Sequence, residues 1–239
     1  MELEPDFAAA SALLDLLDQP ERARADRFHF AEDRDSYIAA HALLRAMLAE
    51  TGGLAASAWR FEVAEGGKPE IDRSLGRPDL RFSLSHARGM AACAIGHIDD
   101  LGVDVEDCRR PVPILELAQR FFAPAEAALI AGEPAARRNA AFFRLWTLKE
   151  AYLKATGRGI LAPLDAFAFS LDPVAISFLG AEPDEPGAWQ FAEVEPAASH
   201  RLALAVRHPR ADPLRFDLAA ATPGWCLGNR NDVDRRPEQ

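Results

Sequence analysis

Apolar positions along the chain follow a helical period in some stretches and a period of two in others. Residues 7–18 carry apolar and small side chains at helical spacing, and Pro20 with the basic run Arg22, Arg24 and Arg27 reads as the end of that element. A second helix is predicted over 33–50, closed by Gly52-Gly53. The pattern then becomes alternating. Residues 59–63 read as a strand, Glu65-Gly66-Gly67-Lys68-Pro69 as a turn, and 80–84, 90–98 and 101–106 as three further strands. Arg109-Arg110-Pro111-Val112-Pro113 interrupts both periods and marks a domain boundary. Beyond it a helical segment is predicted over 114–122, a helix start at Pro124 with Glu126, and a long helix over 139–156 stopped by Gly157 as a left-handed cap. Short strands follow near 167–171, 175–179, 189–194 and 202–206, and the tail from 228 is polar. A faint internal echo links Ala58-Trp59-Arg60-Phe61 to Ala188-Trp189-Gln190-Phe191, and Ser85-His86 to Ser199-His200.

Composition narrows the classes. With 239 residues, 49% of them apolar and 27% charged, the chain has the makeup of a folded globular protein. A net charge of -10 argues against nucleic acid as a partner, because phosphate backbones are held by basic surfaces. Cys93, Cys108 and Cys226 show no paired or zinc-type spacing, no stretch has the length of a membrane span, and the N-terminus lacks the features of a signal peptide. A cytoplasmic protein with no membrane partner is therefore expected. Lysine is rare, at Lys68, Lys149 and Lys154 only, so any anionic ligand would need a local cationic pocket.

Three segments could carry chemistry. In Gly102-Val103-Asp104-Val105-Glu106 strand alternation sends the valines to one side and both carboxylates to the other, which suits either a solvated acidic face or a hard cation such as Mg²⁺. In the helix from Phe142 to Lys154, Glu150 and Lys154 share a face with Trp146, while Phe142, Leu145, Leu148 and Tyr152 can point to the core. Glu150 and Lys154 read either as a surface pair or as a metal ligand or base beside a phosphate-binding cation. Ser85 and His86 are adjacent on an extended segment and point to opposite sides, which disfavours a direct nucleophile-base relay. They read as ligand-binding groups or as a satisfied histidine with its neighbour. Lys68 in its turn does not have the spacing of a P-loop, and His41 and Arg45 lie one helical turn apart.

Taken in order over residues 22–206, these segments resemble the 4'-phosphopantetheinyl transferases of the surfactin type. Phe82-Ser83-Leu84-Ser85-His86 is similar to the first family motif, and Leu101-Gly102-Val103-Asp104-Val105-Glu106 to the second. Trp146-Thr147-Leu148-Lys149-Glu150-Ala151-Tyr152-Leu153-Lys154 with Gly157 is similar to the third. Gly67-Lys68-Pro69 and Arg120-Phe121-Phe122 with Glu126 agree. The resemblance implies an α+β fold of two similar α/β subdomains related by a pseudo-twofold, 1–110 and 111–227, followed by a polar tail, 228–239. It implies a monomer with coenzyme A in the cleft, Mg²⁺ on Asp104, Glu106 and Glu150, and Lys154 against the attacked phosphate. Arg24, Arg45, Lys68, Ser85 and His86 would lie around the nucleotide. The implied activity is transfer of phosphopantetheine to a serine of an apo carrier protein, with Glu150 as base directly or through a water. The chain departs from the family pattern at Ser83, where asparagine is common, and at Met1–Pro5, a remnant of an apolar strand. A Mg²⁺-dependent nuclease would use a similar Asp, Glu and Lys set, and a non-catalytic partner-binding protein would bind neither metal nor coenzyme A.

Overall fold

The structure is a computed structural model that describes residues 7–64, 67–98, 100–159, 162–180, 184–208, 218–221 and 233–236. Met1–Pro5, Gly66, Cys226 and most of the polar tail lie outside the described residues. The first half begins with α1 (Phe7–Leu16), α2 (Gln19–Ala25) and the long α3 (Ala31–Gly52). Pro20 begins α2 instead of ending α1. It occupies the first turn, where the missing N–H costs nothing, and Asp18 and Glu21 close a capping box around it. The hairpin β1 (Phe61–Val63) and β2 (Pro69–Ile71) follows, then the hairpin β3 (Arg81–Ala87) and β4 (Met90–Gly96), then β5 (Asp100–Asp107).

The second half repeats that order. After α4 (Ile114–Phe121) and α5 (Pro124–Gly132) comes the long α6 (Ala135–Thr156), then the hairpin β6 (Phe167–Leu171) and β7 (Val174–Phe178), then β8 (Trp189–Val194) and β9 (His200–Arg207). A last pair, β10 (Leu218–Ala221) and β11 (Val233–Arg236), is antiparallel. Helices α3 and α6 each have 22 residues, and each ends at a left-handed glycine, Gly53 and Gly157, as the sequence predicts for both. In each half a short 3-10 turn, Ala56–Ala58 or Leu164–Ala166, leads from the long helix to the first hairpin. The Trp59 and Trp189 echo is out of register with this repeat, since Trp59 enters β1 whereas Trp189 opens β8, the counterpart of β3.

The repeat extends to a buried charged brace. Arg45, fully buried, donates to Glu21 Oε2 at 2.7 Å and to the carbonyls of Ala56 and Trp59 at 3.0 Å each. Lys149, also fully buried, donates to Glu126 at 2.8 Å and to the carbonyls of Leu164 and Phe167 at 2.7 Å each. Each glutamate is the third residue of its helix and accepts from the backbone N–H of the residue before that helix, Asp18 at 3.0 Å and Ala123 at 3.1 Å. Such ions tolerate burial because every partner is supplied by the fold. Burial works against ionising Glu21, yet the hydrogen bonds from His41 and Arg45 prevail and hold its pKa below the usual glutamate range.

The largest core surrounds α6, where Phe142, Phe143, Leu145, Leu148 and Tyr152 are fully buried against α4, β6 and β8. Burying each such side chain contributes about 1.5–3 kcal/mol. The halves are joined because β5 pairs with β9 in the sheet order β5-β9-β8, while β3 and β4 form a separate sheet. Side chains close the seam between β3 and β5: Ser83 Oγ accepts from Val103 N at 2.9 Å, and Ser85 Oγ accepts from Val105 N at 3.3 Å. Behind that seam Val103 and Val105 are buried with Ala92. Among the described residues no helix is long and apolar enough to cross a membrane.

Candidate active site

Strand β5 and helix α6 approach each other as closely as backbones allow. Gly102 makes this possible, because a Cβ there would overlap the carbonyl oxygen of Ala151 and the amide of Ala155. The contact sets the last turns of α6 over the carboxylates of β5. Lys154 Nζ then donates to Asp104 Oδ1 at 2.6 Å and to Ser85 Oγ at 2.7 Å, and the Ser85 hydroxyl donates to the same Asp104 oxygen at 2.9 Å. Three residues from β3, β5 and α6, one from each motif, thus converge. Lys154 spends its charge on Asp104 and not on Glu150, one turn before it on the same helix.

The acidic strand face is not a solvated one. Asp104 is only 4% exposed, and its Oδ2 is buried without a hydrogen-bond partner. Glu150 is pushed up to about 7, first by burial and then by the negative charge of Asp104, with Glu106 adding to it and Lys154 opposing. Burial and Asp104 also raise Glu106, against Arg110 and a hydrogen bond from Trp146. Among the described residues no three acidic or imidazole groups stand close enough together to form a ready-made metal cage. The donor set still fits a hard divalent cation, being three carboxylates with one orphaned buried oxygen between repelling charges.

Residues 2–96 match the family described as 4'-phosphopantetheinyl transferase, N-terminal, and residues 100–206 match the 4'-phosphopantetheinyl transferase superfamily. Among curated proteins the chain is 37% identical over 190 residues to the 4'-phosphopantetheinyl transferase HetI of Nostoc sp., covering 80% of this chain and 78% of that one. The chain is a 4'-phosphopantetheinyl transferase superfamily member of the Sfp type. It is also 33% identical over 193 residues to psf-1 of Bacillus pumilus, covering 80% and 78%, and 29% identical over 189 residues to Sfp of Bacillus subtilis, covering 79% and 81%. The solved holo-[acyl-carrier-protein] synthase of Thermotoga maritima overlays 55% of this chain and 74% of its own, with a TM-score of 0.38 and 20% identity.

The other residues that the phosphopantetheinyl transferase motifs single out fall in different places. His86 faces solvent beside the site. Desolvation, then the charges of His41 and Lys154, hold its pKa below the usual histidine value. Arg24 is exposed on α2, its guanidinium 5.7 Å from the centre of the Tyr37 ring, and His41 stacks on the same ring at 4.1 Å. Lys68 caps the end of α6, donating to Ala155 O at 2.8 Å and Leu101 O at 3.3 Å, and burial lowers its pKa. Arg45 lies in the first-half brace, away from solvent. Ser83, where asparagine is common in the family, spends its hydroxyl oxygen on Val103 N. Tyr37 and Gly102 are the site-shaping residues that sequence reasoning passed over. A glycine inside a strand is itself a signal of close backbone approach.

Proposed function

We propose that the protein transfers the 4'-phosphopantetheine group of coenzyme A to a serine hydroxyl of an apo carrier protein, releasing adenosine 3',5'-bisphosphate. The observation that carries this reading is the convergence of Ser85, Asp104 and Lys154, with the Glu150 carboxyl titrating near neutrality beside them. The carrier serine oxygen forms a bond to the β-phosphorus, and the bond from that phosphorus to the oxygen bridging it to the α-phosphate breaks. The bridging oxygen leaves with the nucleotide. Glu150 takes the serine proton as general base, directly or through a water. Lys154 stands where negative charge develops on the phosphates, so its ammonium stabilises the transition state more than the ground state. Asp104, Glu106 and Glu150 would hold Mg²⁺, which when bound neutralises the pyrophosphate and polarises the attacked phosphorus.

His86 and Arg24 lie on the side of Lys154 that leads to α2 and α3, and both serve the nucleotide end of coenzyme A in this reading. The Arg24 guanidinium offsets the net charge of -10 locally, and His86, with its lowered pKa, contributes an imidazole as hydrogen-bonding group. Arg45 and Lys68 act instead as braces, on the partners given above. One copy of the chain supplies β3, β5 and α6, so a monomer is sufficient. Among the described residues Cys93 and Cys108 are not joined by a disulfide, which suits a reducing compartment such as the cytoplasm. The test is to incubate the purified protein with coenzyme A, Mg²⁺ and apo acyl, peptidyl and aryl carriers, and to weigh the carriers. Addition of one phosphopantetheine to the carrier serine is expected, lost with EDTA. No mass gain on any carrier would overturn the reading.

A further inference from the structure

The turn between β3 and β4 consists of Arg88 and Gly89, the latter at a φ of 77°, and follows Ser85 and His86 almost directly. The Arg88 guanidinium reaches Glu32 at 2.9 Å, but the two side chains are 70% and 67% exposed, so that pair holds the turn weakly. A buried attachment comes from the other half of the molecule. His200, the first residue of β9 and 4% exposed, sets Nε2 3.0 Å from the Arg88 carbonyl oxygen and Nδ1 3.0 Å from the Ser199 hydroxyl. A carbonyl can only accept, so Nε2 carries a proton, and in the neutral ring Nδ1 accepts from the Ser199 hydroxyl. Both ring nitrogens are thereby fixed in tautomer and direction.

His200 is anchored in its turn by the strand that carries the acidic residues. It pairs across the ladder with Asp107 of β5, and Cys108 N donates to Ser199 O at 2.8 Å. A continuous set of short contacts therefore runs from β5, with Asp104 and Glu106, through Ser199 and His200 to the Arg88 carbonyl. Two residues back from that carbonyl stands His86.

We propose that His200 is a positioning residue for the transfer reaction: it fixes the β3–β4 turn from the opposite half, so that His86 meets coenzyme A already in place. The proposal rests on the transfer reading. His200 touches none of the reacting groups and acts through the Arg88 backbone. Without the bond the turn keeps the Ala87 and Met90 pair of its own ladder and an exposed ion pair, but loses its attachment to the second half. Binding must then fix the position of His86 at a cost that appears in affinity. Because His86 serves the nucleotide end, remote from the attacked phosphorus, the step itself is spared.

The test compares His200→Leu, which removes the donor, with His200→Gln, whose side-chain amide can restore the donor at the position of Nε2. Amide hydrogen exchange over residues 87–90 is measured on the free protein, and KM and kcat for coenzyme A on the full reaction. For His200→Leu we expect faster exchange confined to that turn and KM raised about five- to tenfold with kcat within about twofold, both largely restored in His200→Gln. Ser199→Ala, which frees Nδ1 but leaves the fold intact, should shift both in the same direction by less, and decides the matter if His200→Leu does not fold. Unchanged exchange and KM in the folded variants would overturn the proposal. So would exchange that rises throughout the protein with no rescue by glutamine, which marks a packing residue. If the wild type transfers nothing, the transfer reading fails, and the exchange result alone still shows whether His200 holds the turn.

Discussion

Arg45 is the fifteenth residue of α3 and Lys149 the fifteenth of α6, counting 31 to 45 and 135 to 149. At that shared position both halves bury a cation, pair it with the third residue of a preceding helix and bond it to two carbonyls of the segment that leads to the first hairpin. Arg45 alone adds a second ion pair, to Asp18 Oδ2 at 2.7 Å. One residue further along, α3 has Ala46 where α6 has Glu150; at the twentieth position α3 has Glu50 where α6 has Lys154. Where the halves agree the residue holds the fold, and where they differ, at Glu150 and Lys154, stand residues to which the proposal gives the chemistry. The brace keeps each long helix at a fixed height over its strands. Only in the second half does that helix present a carboxylate and an ammonium to the acidic strand.

The comparison is broken most severely at Lys154. Lys154→Ala should still fold, with a lower melting temperature because Asp104 is left buried without its cation. It should lower kcat by about a thousandfold, with KM for coenzyme A changed far less, because the lost interaction strengthens as charge develops on the phosphates. Steady-state kinetics check this. A kcat near wild type would make Lys154 a structural partner of Asp104 and nothing more.

The braces give the converse result. Arg45→Met and Lys149→Met each strand a buried glutamate, which should destabilise the protein by about 3–5 kcal/mol in chemical denaturation. Replacing both members of the second-half pair, as Lys149→Met with Glu126→Leu, should recover much of that loss. A Lys149→Met protein of unchanged stability would show that the agreement at position fifteen is incidental.

A smaller effect sharpens the contrast at the sixteenth position. The folded pKa of Glu150, about 7, lies above the ordinary 4.5, so the folded state favours its protonated form. Stability is lost as pH rises from 4.5 toward 7 in metal-free protein, and not on acidification. Glu150→Gln should match wild type near pH 4 and exceed it at pH 8 by up to about 3 kcal/mol, since each tenfold change in proton affinity between the folded and unfolded chain corresponds to about 1.4 kcal/mol. Ala46→Gln, at the same position of α3, should show no such pH-dependent gain. Melts in EDTA at the two pH values measure this, and a gain equal at both would contradict the charge origin.

The sequence reading of the elements succeeds where periodicity is strong and local, as for α6, β6 and β8, and goes astray at α2. Pro20 looks like a stop, but Asp18 followed three residues later by Glu21 is the signature of a helix start. That single error has a consequence for the site. With α2 absent, Arg45 has no visible counter-ion, and nothing along the chain opposes the nucleotide role that the family resemblance implies. With α2 in place, Glu21 claims it. The acceptors that Lys68 finds, the backbone carbonyls of Leu101 and Ala155, are likewise revealed by no side-chain pattern. Asp104, Ser85 and Lys154 are legible as residues but not as a cluster, since the contact among them depends on the close passage of α6 over Gly102. The difference between a solvated and a buried Asp104 is likewise a property of the packed seam, not of strand alternation.

Asp104 is the residue on which the proposed reading depends: the structure shows it held by Lys154, and the proposal makes it a carboxylate of the metal site. Asp104→Ala removes one of three repelling carboxylates, which at an effective dielectric of about 20 interact by roughly 4 kcal/mol at 4 Å, and it frees Lys154. The decisive measurement is transfer of phosphopantetheine to an apo carrier by this variant, with melting curves recorded in EDTA, in Mg²⁺, and in Mg²⁺ with coenzyme A. The expected result is no transfer, an apo stability equal to or above wild type, and a melting shift with Mg²⁺ and coenzyme A that is large in wild type and small in the variant. Transfer near the wild-type rate, or equal melting shifts in the two proteins, would contradict the metal-site role.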